Sequence, residues 1–258
     1  MKLTFLGTGS SLGVPMIGCG CEVCSSDDPR DKRLRTSALI QAGNETILID
    51  AGPDFREQAL RHGIDKVDAI LLTHPHRDHI GGLDDTRALY YAMGKKPLAF
   101  YAEDFTIRGV RKYYDYLFPA SGKTDYHGAP QSRWHEIRAG ETFDTGHNSI
   151  LPLRAWHGPM PVTAYKIGRL LYMTDVKTVP AETKSHIDRD TILVLSALHR
   201  KPHHLHFNLD EALAFIDETK PRQAYLIHMG HWMGKHAEVE KQLPPHVRLA
   251  YDGLTINI

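Results

Sequence analysis

Short apolar runs recur along the chain, each closed by Gly, Pro, Asn or Asp. They cover Lys2–Leu6, Ser37–Gln41, Thr46–Ile49, Ala69–Thr73, Leu98–Tyr101, Ser149–Leu153, Leu170–Met173, Thr191–Leu195, Ala224–Ile227 and Val247–Tyr251. Their Ile, Leu, Val, Tyr and Phe content and their length predict strands. Helical spacing occupies Pro53–His62, Leu83–Met93, Phe105–Tyr116, Leu209–Thr219 and His236–Gln242. Pro53 suits a first helical turn, and Asn208 is a good cap for the helix that opens at Leu209. Strands outnumber helices and do not alternate strictly with them. That pattern predicts an α/β protein of two packed sheets with helices outside, not one doubly wound sheet. The polar stretch from about Tyr116 to Arg138 predicts a long surface loop bordering a site. No repeat, low-complexity segment or boundary interrupts the chain, which reads as a single domain over 1–258.

Composition narrows the class without naming a function. The 258 residues carry 31 Lys+Arg against 31 Asp+Glu, so the formal net charge is zero. That balance weakens a role in non-specific nucleic-acid binding. No run reaches the about 18 apolar residues that a membrane span requires. The opening MKLTFLGTGSSLGVP reads as a strand and a loop, not a secretory signal, so a cytoplasmic location is expected. The three Cys fall together at Cys19, Cys21 and Cys24, which is no disulfide framework. There are 17 His, and imidazole is the commonest metal ligand.

The histidines cluster. Leu71-Leu72-Thr73-His74-Pro75-His76-Arg77-Asp78-His79 follows an apolar run that reads as a buried strand. Its ligand-type residues therefore occupy the loop past the strand's carboxyl end, where open α/β sheets place their sites. His74 and His76, two apart, point to one side of an extended segment, while Asp78 and His79 follow the turn. One loop can thus serve two cations of the Zn, Mn or Fe kind. Four more polar residues stand just after apolar runs: Asp50, His157, Asp175 and His228. Asp50 can support the His loop from behind by orienting an imidazole. Each alone reads as a turn residue; their recurrence at successive strand ends argues for a shared site.

These residues resemble the metallo-β-lactamase superfamily: Asp50-Ala51-Gly52, the His74/His76/Asp78/His79 motif, His157, Asp175 and His228 stand in its order. The likeness runs from Leu3 to Gly253. It implies an αββα sandwich with a dinuclear metal site at one edge. In it His74, His76 and His157 hold one metal, Asp78, His79 and His228 the other, and Asp175 bridges. A narrower resemblance lies in Gly18-Cys19-Gly20-Cys21-Glu22-Val23-Cys24, which is similar to the CxCxxC segment of PhnP-type phosphodiesterases, enzymes of cyclic phosphates. It implies a structural Zn held by Cys19, Cys21, Cys24 and His231. Three thiolates and one imidazole form a closed tetrahedral site; the cysteines by themselves also fit a redox cluster or idle thiols. Pro202-His203-His204-Leu205-His206-Phe207-Asn208-Leu209-Asp210 matches a further family pattern, which implies His206 as general acid, with His203 and His204 as competitors.

The expectation is therefore a metal-dependent phosphoric diester hydrolase acting on a small or cyclic phosphodiester, of the ribosyl 1,2-cyclic phosphate or 2′,3′-cyclic nucleotide type. Its catalytic side chains are His206 and Asp78. Its cofactors are two divalent active-site metals (Mn, Zn or Fe) and one structural Zn. Arg200 and Lys201 could steady a second phosphate. A small-molecule substrate is expected, with no membrane and no stable nucleic-acid partner, and the family suggests a homodimer. The competing readings are a tRNA 3′-processing-like nuclease, a thioester or lactone hydrolase, and a PqqB-like metal-binding accessory protein.

Overall fold

The computed structural model describes residues 1–118 and 128–258. Two seven-stranded mixed sheets face each other. The first contains β1 (Lys2–Gly7), β2 (Ser37–Ala42), β3 (Glu45–Ile49), β4 (Ala69–Leu71), β5 (Leu98–Ala102) and β6 (Ser132–Glu136) in spatial order. The second contains β7 (Phe143–Asp144), β8 (Ser149–His157), β9 (Met160–Ile167), β10 (Leu170–Met173), β11 (Ile192–Ser196), β12 (Gln223–Ile227) and β13 (Val247–Leu249). The last strand, β14 (Thr255–Asn257), returns to pair with β1.

Strand alternation explains the layers. In β3, Ile47 and Ile49 join the core between the sheets while Leu48 joins a second core on the outer face. In β10, Leu170 and Tyr172 face inward, and Leu171 and Met173 outward. Strands that are apolar on both faces must be covered on both. Helices α1 (Phe55–His62), α2 (Arg77–Ile80), α3 (Thr86–Ala92) and α4 (Asp104–Arg111) contribute apolar residues to the outer core of the first sheet. After α5 (Ala181–Lys184), helices α6 (Leu209–Thr219) and α7 (His236–Glu240) do so on the second. The result is the αββα sandwich. No helix among the described residues is long and apolar enough to cross a membrane.

Differences from the sequence expectation have local causes. The surface-loop reading of Tyr116–Arg138 fails at Ser132–Glu136, which is edge strand β6 and pairs with β5. Its residues, SRWHE, are largely exposed, so it carries no apolar run to betray it. Residues 119–127 of that stretch lie outside the described residues. Strand β9 begins with Met160-Pro161 and carries Lys166, which broke the apolar run. The segment Leu83–Met93 is a 3₁₀ turn, Leu83–Asp85, followed by α3.

Chain direction positions the site. Strands β3 to β6 run parallel, as do β10 to β13. Parallel neighbours bring their carboxyl ends to one edge. Two bonds tie the sheets there: Tyr165 donates its hydroxyl to the Leu72 carbonyl at 2.7 Å, and the Thr163 amide donates to the Thr73 carbonyl at 3.0 Å. Tyr165 is fully buried. Replacing it by Phe removes one cross-sheet hydrogen bond and should cost about 1–3 kcal/mol. Urea unfolding should show a lower midpoint with an unchanged slope.

Candidate metal centre

Asp50 follows β3, the His74–His79 loop follows β4, His157 ends β8, Asp175 follows β10 and His228 follows β12. Three of them turn the chain sharply, with left-handed φ of 58° at Asp50, 55° at Asp175 and 58° at His228. Such a conformation costs a non-glycine residue of order 1–3 kcal/mol and collects at functional sites. Gly52 is needed for a different reason. A Cβ there would lie 2.1 Å from the Asp78 carbonyl oxygen, so only glycine lets the two loops touch. The Ala51 amide donates to the His79 carbonyl at 2.9 Å across that contact.

The loops converge. His79 Nε2 lies 3.1 Å from Asp175 Oδ2 and 3.4 Å from Asp78 Oδ2, and His228 Nε2 lies 3.1 Å from Asp175 Oδ1. The His74 ring is 4.8 Å from His76, 4.2 Å from His79 and 6.0 Å from His157. The His76 ring is 5.2 Å from His157. With the His228 ring 5.6 Å from that of His79 and the Asp50 carboxylate 2.7 Å from His79 Nδ1, all four strand-end residues meet the His loop.

Hydrogen bonds behind the rings fix their tautomers. The buried Asp50 carboxylate accepts from the Thr73 amide and hydroxyl, both at 2.8 Å, and from His79 Nδ1 at 2.7 Å. Because the Thr73 proton goes to Asp50, its oxygen accepts from His74 Nδ1 at 3.0 Å. His157 Nδ1 donates to the Leu205 carbonyl at 2.8 Å. Thr36 donates to the Gly9 carbonyl at 2.9 Å, which leaves its oxygen to accept from His228 Nδ1 at 3.3 Å. A neutral imidazole that donates through Nδ1 keeps its lone pair on Nε2. Four rings are thus set to present Nε2. The sequence expectation foresaw Asp50 in this role but not Thr36, Thr73 or the Leu205 carbonyl. Thr73 adjoined the motif and could have been found; Thr36, remote in sequence, could not.

This donor set fits cations. His74 Nε2, His79 Nε2 and His206 Nδ1 are buried without a hydrogen-bond partner, which normally costs about 1–3 kcal/mol apiece. His79 Nε2 approaches two carboxylates without the alignment of a hydrogen bond, as lone pairs do when they face a common centre. Charge tells the same story. Against the opposing pull of burial, the carboxylates of Asp175, Asp78 and Asp50 hold His79 well above its ordinary value. Burial also opposes ionisation of Asp175, yet His228 and His79 keep it well below the carboxylate range. The pocket favours positive charge. Two sets of ligand atoms lie within 4.8 Å of one another: Asp78, His79, Asp175 and His228, and His157, Asp175 and His206. Asp175 belongs to both. The second set differs from the one implied by resemblance, since His206 stands in it where His74 and His76 were expected.

His206 reaches this position because Phe207 is laced in on both sides: its amide donates to the Val176 carbonyl at 2.8 Å, and its carbonyl accepts from the Leu198 amide at 2.9 Å. Asn208 and Glu211 then form a reciprocal capping box that starts α6. His206 Nδ1 is 3.6 Å from Asp175 Oδ1. Burial lowers its imidazole to about 3 while Asp175 pulls the other way. His203 and His204 stack on each other further out. The Arg200 guanidinium is taken by the Met233 carbonyl and Gln242, so it does not reach for a phosphate, and Lys201 is exposed.

A second cluster lies apart from this one. His231 Nδ1 is 3.3 Å from the sulfurs of Cys19 and Cys21 and 3.5 Å from that of Cys24. The Cys24 amide and His231 lower the Cys21 thiol to about 6. Burial pushes Cys24 up to about 11. Three sulfurs around one imidazole nitrogen make a donor set that zinc suits.

The comparisons agree with this architecture. A family model described as Beta-lactamase superfamily domain matches residues 45–229. An octanoyltransferase of Porphyromonas gingivalis (strain ATCC BAA-308 / W83) is 41% identical over 257 residues, covering 98% of this chain and 51% of that protein. The chain thus spans about half the length of that relative. A crystal structure of a diphosphatase from the PhnP family has a TM-score of 0.91 at 38% identity, covering 100% of this chain and 97% of that one. Zn(2+)-bound PqqB from Methylobacterium extorquens, with a TM-score of 0.78 at 20% identity and 100% coverage of both, shares the fold. Matching ligand order, sandwich and cysteine segment together place the chain in the metallo-β-lactamase superfamily, where it belongs to the PhnP type.

Proposed function

We propose that this metal-dependent hydrolase cleaves a small or cyclic phosphodiester. The observation that carries the reading is the convergence of buried, partnerless imidazole nitrogens on the shared Asp175 carboxylate. In this reading His74, His76, Asp78, His79, His157, Asp175 and His228 hold two divalent cations, and Cys19, Cys21, Cys24 and His231 hold one structural zinc. Bound there, divalent cations would supply Lewis-acid polarisation of a phosphoryl oxygen and activation of water near neutral pH.

The chain's own residues do the rest. Asp50, Thr73, Thr36 and the Leu205 carbonyl keep each imidazole in one tautomer and orientation, so no reorganisation is needed when substrate enters. His206 lies beside Asp175 at the inner end of its loop and donates the proton that the departing alkoxide oxygen needs. Burial disfavours its protonated form, and an anionic phosphodiester entering next to the ring pulls its pKa back up. A positioned donor of this kind contributes on the order of 10²–10⁴ in rate.

A second reading has support in the 38% identical relative, which is named a diphosphatase. A phosphoric anhydride offers the same anionic phosphoryl oxygens but expels phosphate, a weaker base than an alkoxide. It needs a proton donor less, so leaving-group basicity separates the two readings. The octanoyltransferase likeness supports no acyl-transfer reading by itself, because half of that protein lies outside the match.

His206→Ala should lower kcat on an alkyl diester by about 10²–10⁴ and on a nitrophenyl diester far less, with metal content unchanged. Loss of metal instead would make His206 a ligand, and a wild type inert on every diester with Mn, Zn or Fe supplied would sink the diesterase reading. Asp50→Asn, which exchanges an acceptor for an amide behind His79, should weaken metal affinity or activity by about 10- to 100-fold. Elemental analysis should find about three metals per chain, one of them surviving mild chelation. Cys24→Ser should remove that resistant ion and lower the thermal midpoint.

A further inference from the structure

We infer that Trp232 is a stacking platform for a nucleobase on the phosphoryl substrate, so that the substrate is a nucleotide and not a base-free sugar phosphate. This rests on the phosphoryl-hydrolase reading above and deepens it. Trp232 is 63% exposed, unusual for the side chain that ordinarily hides the most apolar area.

The ring is exposed but not loose. It stacks on His231 with centroids 4.9 Å apart and an interplanar angle of 26°. His231 is itself wedged among three thiols. The His199 ring lies 5.7 Å away on a different incline. His199 is 7% exposed, its Nδ1 is buried without a partner, and packing holds it in place. A flat apolar surface fixed before the ligand arrives loses little entropy on binding.

Its place in the chain links it to the catalytic residues. Trp232 follows His228 by four residues, and between them the Gly230 amide donates to the Leu198 carbonyl at 2.8 Å. That bond stitches the Trp232 turn to the loop that carries His199, His203 and His206. From Trp232 the rings continue to His199, then to His203 at 5.8 Å, then to His206 at 5.2 Å. The row ends at Asp175. Ring-to-ring contacts therefore lead stepwise from the exposed indole to the imidazole of His206 and the carboxylate of Asp175 at the candidate metal centre. Base-on-aromatic stacking needs only a π face, so the platform selects for a base without selecting which one.

The test compares adenosine 2′,3′-cyclic phosphate with a base-free ribosyl cyclic phosphate on metal-loaded protein. The wild type should prefer the nucleotide in kcat/KM. In Trp232→Ala that preference should fall by about 5- to 100-fold, mainly through KM, and Trp232→Phe should retain most of it. An unchanged preference in Trp232→Ala overturns the inference, including when the variant alters self-association and thereby marks Trp232 as a protein contact. A wild type that cleaves only the base-free ester overturns it too, leaving the diesterase reading intact. A wild type that cleaves neither overturns that reading and this inference with it. If Trp232→Ala loses its zinc, fluorescence decides: adenosine monophosphate should quench wild-type emission, and Trp232→Phe should abolish that quench. Persistence of the quench in Trp232→Phe assigns the stacking elsewhere and overturns the proposal.

Discussion

Everything at the metal centre depends on what lies behind the rings. An imidazole has two nitrogens, and the direction in which it offers a lone pair is decided by what its other nitrogen does. Here Asp50, Thr73, Thr36 and a peptide carbonyl each take an Nδ1 proton. Four Nε2 atoms are left aimed inward. Asp50 matters most, because one carboxylate fixes His79 directly and His74 through the Thr73 hydroxyl. Burial raises its pKa, so the hydrogen bonds it accepts must compensate for holding a charge away from water. A group that costly to bury is kept for the orientation that it enforces.

That constraint explains the backbone as well. Asp50, Asp175 and His228 all turn with positive φ at strand ends. The strain can be held because β3, β10 and β12 are anchored in continuous apolar cores on both faces. Ile47, Ile49, Tyr172 and Ile227 are buried at 1% exposure or less. A rigid double sheet over-determines its strand tips, and the tips can then take conformations that an isolated loop would abandon.

The sequence made the architecture legible where burial wrote it. Apolar runs revealed the central strands other than β9, whose run Pro161 and Lys166 interrupt, because a strand covered on both faces is largely apolar. Edge strands carry no such demand, which is why β6, with SRWHE, and the two-residue β7 escaped. The same rule governed the site. His74, His76, Asp78 and His79 announced themselves by crowding into one loop, and Asp50 by its place after a strand. Thr36 and the Leu205 carbonyl could not, since a threonine or a backbone oxygen has no distinctive spacing and acts only through the fold. His206 was legible as a residue through family likeness, but its nearness to His157 and Asp175 emerges only from the loop geometry.

The cysteine cluster and the metal centre are not independent. His228 and His231 are separated by Met229 and Gly230 alone. The Ser10 amide donates to the Met229 carbonyl at 3.1 Å, and the Met229 amide to the Thr8 carbonyl at 3.0 Å. The N-terminal loop is thus paired with the segment that joins the two clusters. A closed tetrahedral ion at Cys19, Cys21, Cys24 and His231 would clamp that loop and hold the turn that begins at the strained His228. Its effect on catalysis would therefore be felt as precision at His228 and not as chemistry. This is the sense in which a remote, coordinatively saturated ion can serve an open one: it removes the freedom of a backbone that has already been bent away from its preferred conformation.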